Sequence, residues 1–188
     1  MIDIKVITQA IYYLLKNIGK CDELKIVKLI YLTDKYHLLK YARTVTNDSY
    51  FAMRMGPVGS TVKDVLCFNR TALSKQELKF INIFIKQDGE YDYQINEKAS
   101  DNELDMLSET DFEALNFVIK QFGSWTKSQL IRYTHNYPEW KQYENLLKQK
   151  TLRGEIKTEE IMTTIDDIFP VTKENIEISR ETVSGQLQ

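Results

Sequence analysis

The chain has 188 residues, 43% of them hydrophobic, and a formal net charge of −2. That is enough to bury one sizeable core but little for two independent domains, and the near-zero charge argues against a dedicated nucleic-acid binder. No segment approaches the roughly 18–20 uninterrupted apolar residues of a membrane span, and Met1-Ile2-Asp3-Ile4-Lys5 lacks the cationic end and apolar run of a signal peptide, so a cytoplasmic location is expected.

Val6, Ile7, Ala10, Ile11, Leu14, Leu15 and Ile18 recur at three- and four-residue steps, which predicts a first helix from about Ile4 to Ile18, ended by Gly19. Asp22 reads as the N-cap of a second helix that runs to about Tyr41 and is apolar around most of its circumference, the mark of a central helix. Val27, Tyr31 and Leu38 share one stripe of it, and Asp34 falls among them. Because burying an unpaired carboxylate costs several kcal/mol, Asp34 needs backbone N–H groups, a cation or a solvent-filled groove. The specific expectation is that it accepts hydrogen bonds from the chain near Gly56 to Thr61.

Tyr50 to Met55 is short, aromatic and bounded by turn residues, which predicts a strand closed by Gly56-Pro57. A short helix with Val62, Val65 and Leu66 follows, with Pro57 or Ser60 near its start. Ile81, Ile83 and Ile85 alternate, Asp88-Gly89 is a strong turn, and Tyr91, Tyr93 and Ile95 alternate on the return, so a hairpin is favoured over a helix opening at Ser74 with Glu77.

From Ser108 the pattern is helical again, with Ser108 and Asp111 as a capping pair and Gly123 as terminator. Thr126 and Gln129 form a second capping pair for a helix ending near Thr134-His135, and Pro138 and Trp140 open another helical piece. Ile161, Ile165 and Ile168 predict a last amphipathic helix. The expected fold is α+β and mainly α: a compact helical domain over residues 1–170 with a small antiparallel hairpin or sheet, then an acidic, polar tail over 171–188 without fixed structure of its own.

From Glu155 onward eight acidic residues stand against three basic ones, a net of −5, which leaves +3 for the rest of the chain. Cys21 and Cys67 are isolated, with no partner at metal-ligand spacing, and are expected to be buried free thiols.

Three separated motifs then stand out. They are Lys28-Leu29-Ile30-Tyr31-Leu32-Thr33-Asp34, Met55-Gly56-Pro57-Val58, and Trp125 with Leu130 and Thr134-His135-Asn136-Tyr137-Pro138-Glu139-Trp140. Together, in this order, they resemble the Panacea domain, also called the SocA-like antitoxin or phage-associated GepA domain, over roughly Val6 to Asp167. The resemblance implies an antitoxin that holds a co-encoded bacterial or phage toxin inactive through direct protein contact, with no cofactor, metal or small-molecule substrate. Partners in that family include toxic small alarmone synthetase relatives that use ATP to modify tRNA and toxins acting on the DNA replication clamp, and some relatives resemble adaptors that deliver the toxin to a protease. The long polar C-terminus departs from the simplest family pattern.

Residue chemistry adds the following expectations. Tyr31, Asp34, Gly56, Pro57, Trp125, Thr134, His135 and Trp140 are structural positions of the motifs, and no residue is assigned a catalytic role. Gly56-Pro57-Val58-Gly59-Ser60-Thr61 has the wrong spacing for a phosphate loop, since no Lys follows its last Gly and Pro57 removes an N–H. His135 is read as a helix-end histidine, stabilised by the local dipole or packed beside Trp140, and His37 as a surface residue. Tyr133 and Tyr137 are candidate partner contacts because interface anchors are rich in Tyr, whereas the tryptophans suit the core. Glu159, Glu160, Asp166 and Asp167 are candidates for attracting and covering the basic cleft of a tRNA- or nucleotide-using toxin, the equal alternative being an ordinary solvated tail with Ile161, Ile165 and Ile168 docked on the body. The helix pair around Gly123 resembles a helix-turn-helix, but Lys127 and Arg132 supply little charge for phosphate contacts, so operator binding is a minor alternative.

Overall fold

The computed structural model describes residues 2–100, 103–149 and 153–186. Asp3 caps the first helix, α1 (Ile4–Ile18), and Gly19 ends it with a positive φ of 79° that a side chain would resist. A two-residue strand, β1 (Cys21–Asp22), leads into α2 (Glu23–Tyr41), where the Asp22 carboxylate accepts from Leu24 N–H as predicted. Every residue of α2 from Ile26 to Leu39 is buried, and α1, α5, α6, α10 and β3, placed below, surround it. A helix wrapped on all sides needs no single apolar face.

The second sheet element differs from expectation. Strand β2 (Tyr50–Met53) is followed after a two-residue turn, Arg54-Met55, by a strand β3 (Gly56–Gly59) paired antiparallel to it, with Ala52 opposite Pro57. Two glycines and a proline hid this strand, but Pro57 is tolerated because β3 is an edge. Helix α3 (Ser60–Leu66) then begins at Ser60.

The hairpin predicted over residues 81–95 is partly corrected. Ser74 and Glu77 form a complete capping box, and α4 (Lys75–Phe84) takes the first isoleucines, with Ile81 and Phe84 inside and Ile83 43% exposed. Only after Phe84 does the chain extend, as β4 (Ile85–Gln87) and β5 (Asp92–Ile95) around a turn with Gly89 at φ 96°. Three-residue spacing from Leu78 through Ile81 to Phe84 outweighed the alternation.

Helix α5 (Glu109–Phe122), capped by Ser108 and Asp111, and α6 (Lys127–Thr134), capped by Thr126 and Gln129, follow as expected. Pro138 opens the short α7 (Pro138–Lys141), and α8 (Glu144–Lys148) succeeds it. Strand β6 (Gly154–Ile156) joins the far side of β2, giving the order β3-β2-β6, while the other sheet runs β1-β5-β4.

The late helix predicted through Ile161, Ile165 and Ile168 is replaced by a four-residue α9 (Thr158–Ile161) and an irregular segment anchored by buried Met162 and Phe169, with Ile165 37% exposed. Beyond Pro170 the polar stretch forms α10 (Lys173–Gln186), whose Ile176, Ser179 and Val183 are buried against the body. The Ser179 hydroxyl donates to Leu39 O (3.1 Å) at the C-terminal end of α2, and Arg180 donates to Met162 O (2.6 Å). Cys21 and Cys67 are both free thiols, but the first is half-buried and the second exposed, a correction to the expected burial. The chain is a mainly α member of the α+β class.

Candidate functional site

The residues singled out in the sequence gather on α2. Asp34 has no exposed surface, and its carboxylate accepts from Val45 N–H (2.8 Å), Thr46 N–H (3.0 Å), the Tyr50 hydroxyl (2.7 Å) and the Thr46 hydroxyl. Burial pushes its pKa up to about 6 against the pull of these donors. It therefore fastens the loop entering β2. The contacts expected of it belong to Asp48, which accepts from Thr61 N–H (3.0 Å), Val62 N–H (2.8 Å) and the Ser60 hydroxyl (3.2 Å) and so caps α3. The helix start that a phosphate-loop reading would aim at an anion is thus already occupied by a carboxylate of the chain itself.

Lys28, a residue the sequence did not flag as buried, has no exposed surface and donates to Pro57 O at 2.7 Å, tying β3 to α2. With no carboxylate beside it among the described residues, burial lowers its pKa to about 7. Gly56 sits above it at φ 103°, where an added Cβ would lie 2.7 Å from Lys28 Cε and 2.9 Å from Thr134 Oγ1. Thr134 in turn donates to Leu130 O (2.9 Å). The second motif therefore meets the first and third at Gly56.

One and two turns along the same stripe, Tyr31 and Lys35 reach Glu139. The Tyr31 hydroxyl donates to Glu139 Oε1 at 2.5 Å, Lys35 Nζ donates to the same oxygen at 2.7 Å and to Ile161 O at 2.6 Å, and the Thr163 hydroxyl reaches Oε2 at 2.9 Å. Lys35 and Glu139 form an ion pair with no exposed side-chain surface, and Lys35 Nζ also lies 3.9 Å from the Tyr137 ring centroid. Burial lowers the Lys35 pKa to about 8 despite Glu139, and raises that of Tyr31 well above its usual value. The signal for this pair was present as Lys28-x-x-Tyr31-x-x-x-Lys35 on one stripe of a helix otherwise rich in apolar residues.

Tyr137 is fully buried and Tyr133 is 8% exposed; their hydroxyls bond to each other at 3.0 Å, and that of Tyr133 continues to Asp166 at 3.2 Å. Neither ring is presented to a partner in this structure, contrary to expectation. His37, expected on the surface, is buried, with ring nitrogens 2.8 Å from Arg43 O and 3.0 Å from Thr110 Oγ1 and with Asp111 at 3.3 Å. His135 stacks on Trp140, centroids 3.5 Å apart, the second of the two placements read from the sequence, and burial with the nearby Lys28 charge lowers its pKa to about 4. Trp140 donates to Met53 O at 2.8 Å, and Trp125 packs edge-on to Phe122. With Tyr31, Asp34, Lys35 and Glu139 closed off from solvent, this polar centre holds segments in register and has no face for a solute.

On the surface, Met55 stands 46% exposed between two depressions. One, of about 490 Å3, is floored by Leu24, Val27, Met53, Val58 and Leu147. The other, of about 560 Å3, adjoins Ile131 and Trp140. Among the candidate acids, Glu160 caps α9 and accepts from Gln142 (3.0 Å), and Asp166 is held by Tyr133 and Ile168 N–H. Glu159 and Asp167 are exposed without an ion pair among the described residues.

Residues 26–141 match the family model described as antitoxin SocA-like, Panacea domain. The chain belongs to the SocA-like Panacea family. No curated protein and no solved structure matches it. The Panacea match runs from within α2 to the end of α7 and contains Lys28, Asp34, Gly56 and Glu139, while α1, β6, α9 and α10 lie outside it. Two residues from outside the Panacea match complete the arrangement: Ile161 O and Thr163 close the Lys35–Glu139 pair.

Proposed function

We propose that the chain is the antitoxin of a type II toxin–antitoxin pair, acting in the cytoplasm and stoichiometrically, without turnover, by covering the active site of a co-encoded toxin. The family supports the antitoxin role. The observation that carries the occupancy mechanism is the sealed polar centre, in which three separated motifs are locked into one rigid body, the preorganisation a tight inhibitor needs. The proposed toxin is a small alarmone synthetase relative that uses ATP to modify tRNA. Such an enzyme needs a basic cleft, and the carboxylates of Glu159, Asp167 and, more locally engaged, Glu160 and Asp166, with Glu174, Glu177 and Glu181 exposed on α10, supply the opposite charge. The complex is expected to bury about 1,200–2,000 Å2.

The test is to express the product of the adjacent open reading frame with and without this chain. Restored growth with the toxin level unchanged, and a stable complex on co-purification, is the expected result. Restored growth that requires a protease and removes the toxin, or binding to the chain's own promoter without a toxin complex, would replace it.

A further inference from the structure

We infer that the groove beside the Arg54-Met55 turn is a docking site for an acidic, amphipathic helical segment of the partner protein; this rests on the antitoxin reading and names the chemistry of one contact within it. The groove floor is made of methyl, methylene and thioether groups around a space of about 490 Å3. Its rim is cationic. Arg54 and Lys63 border it, and Arg132 and Lys141 border the adjoining depression beyond Met55, none with an ion-pair partner among the described residues. Two further charges line the groove: Lys148, which is taken up by Glu144 at 2.8 Å, and Glu23, whose carboxylate interacts with the Lys63 charge, so Arg54 leaves the rim with a net positive charge. Apolar anchors spaced three and four residues apart, flanked by carboxylates, fit such a floor and rim, and the flexible thioethers of Met53 and Met55 adapt to them.

A single-stranded nucleic acid fits less well. The residues lining the groove include no aromatic ring for base stacking, Trp140 in the adjoining depression is 5% exposed and covered by His135, and the chain's net charge is −2. A second copy fits less well too, because α10, the chain's own acidic helix, exposes one large apolar residue, Ile178, too little to fill the floor.

The probe is a fluorescein-labelled helical peptide with Leu at positions i, i+3, i+4 and i+7 and Glu on both flanks, compared with the same peptide carrying Lys, with single-stranded RNA, and with the protein alone in sedimentation equilibrium. The expected result is binding of the Glu peptide, shifts of the Met53 and Met55 methyl signals, weakening by salt, and about tenfold or greater loss in the Met55→Glu/Lys63→Glu variant, both sites being exposed. Absence of Glu-peptide binding, preference for the Lys peptide or RNA, or a dimer dissolved by Met55→Glu would each overturn the inference. In the growth assay, a variant that protects as well as the wild type overturns the groove alone, whereas a wild type that fails to protect overturns the antitoxin reading and leaves the peptide titration to decide the groove.

Discussion

Lys35 and Glu139, 104 positions apart in the chain, meet at 2.7 Å with neither side chain exposed, and the pair is the joint between α2 and α7. Losing one partner of a buried pair strands the other charge. Glu139→Ala is therefore expected to cost about 3–5 kcal/mol, and Lys35→Met with Glu139→Leu recovers only part of that loss, because the Tyr31 and Thr163 hydroxyls and Ile161 O are left unpaired. Urea unfolding of the two single variants and the double variant measures it.

Asp34 satisfies two backbone N–H groups and two hydroxyls of the loop before β2. Asp34→Ala leaves those donors unpaired inside the protein and is expected to cost about 3 kcal/mol or more. Thermal melting of the variant reads this loss. Unchanged stability with lost toxin binding would move Asp34 from the scaffold to the interface.

Gly56→Ala adds a Cβ against Lys28 and Thr134 at a positive φ, with an expected cost of about 2–3 kcal/mol. At about 2–4 °C per kcal/mol for a chain of this size, the melting temperature should fall by roughly 4–12 °C. Gly89→Ala, also at positive φ but with nothing within 4 Å, should cost less, since only the conformational part applies.

The Lys28 amine has a folded-state pKa of about 7 against an ordinary value of 10.5. Between those limits the unfolded chain binds the proton and the folded chain does not, so this group adds stability as pH rises from about 7 towards 10.5 and withdraws it as pH falls back. Lys35, lowered to about 8, acts with the same sign. Comparing urea midpoints at about pH 7 and about pH 8.5, below the range in which the buried Cys21 thiol and the Tyr31, Tyr50 and Tyr137 hydroxyls act with the opposite sign, the wild type should gain stability, and Lys28→Met should flatten but not abolish the gain.

Truncation after Pro170 removes the buried Ile176 and Val183 from the body together with the Ser179 bond to Leu39. Burial of two aliphatic side chains is worth about 1.5–3 kcal/mol each, so the shortened chain should unfold several degrees lower. Toxin neutralisation at a temperature where it remains folded would then report on the acidic helix separately from the scaffold.

Local signals in the sequence were sufficient where the chain's own neighbours decide the outcome. Asp22, Ser108 with Asp111, Thr126 with Gln129, and Gly19 each mark a helix end through bonds spanning a few residues, and each is found in place. The same locality concealed β3, because a strand of Gly56, Pro57 and Gly59 is held by Lys28 from another element. It concealed α10 as well, where only Ile176, Ser179 and Val183 carry the inward face of an otherwise charged helix. At the candidate site the sequence exposed Asp34 as misplaced among apolar residues but not its partners. Buried Lys28 and Lys35 resemble ordinary surface lysines until Glu139 and the Pro57 carbonyl, distant in the chain, are brought beside them.

The sheet bearing the Met55 turn is completed by Gly154–Ile156, about a hundred positions after β2. A ribosome building this chain must therefore release everything up to Ile156 before that sheet can close. Until then β2 keeps one bare edge, so a product cut short ahead of Gly154 leaves that edge open to pairing with other strands.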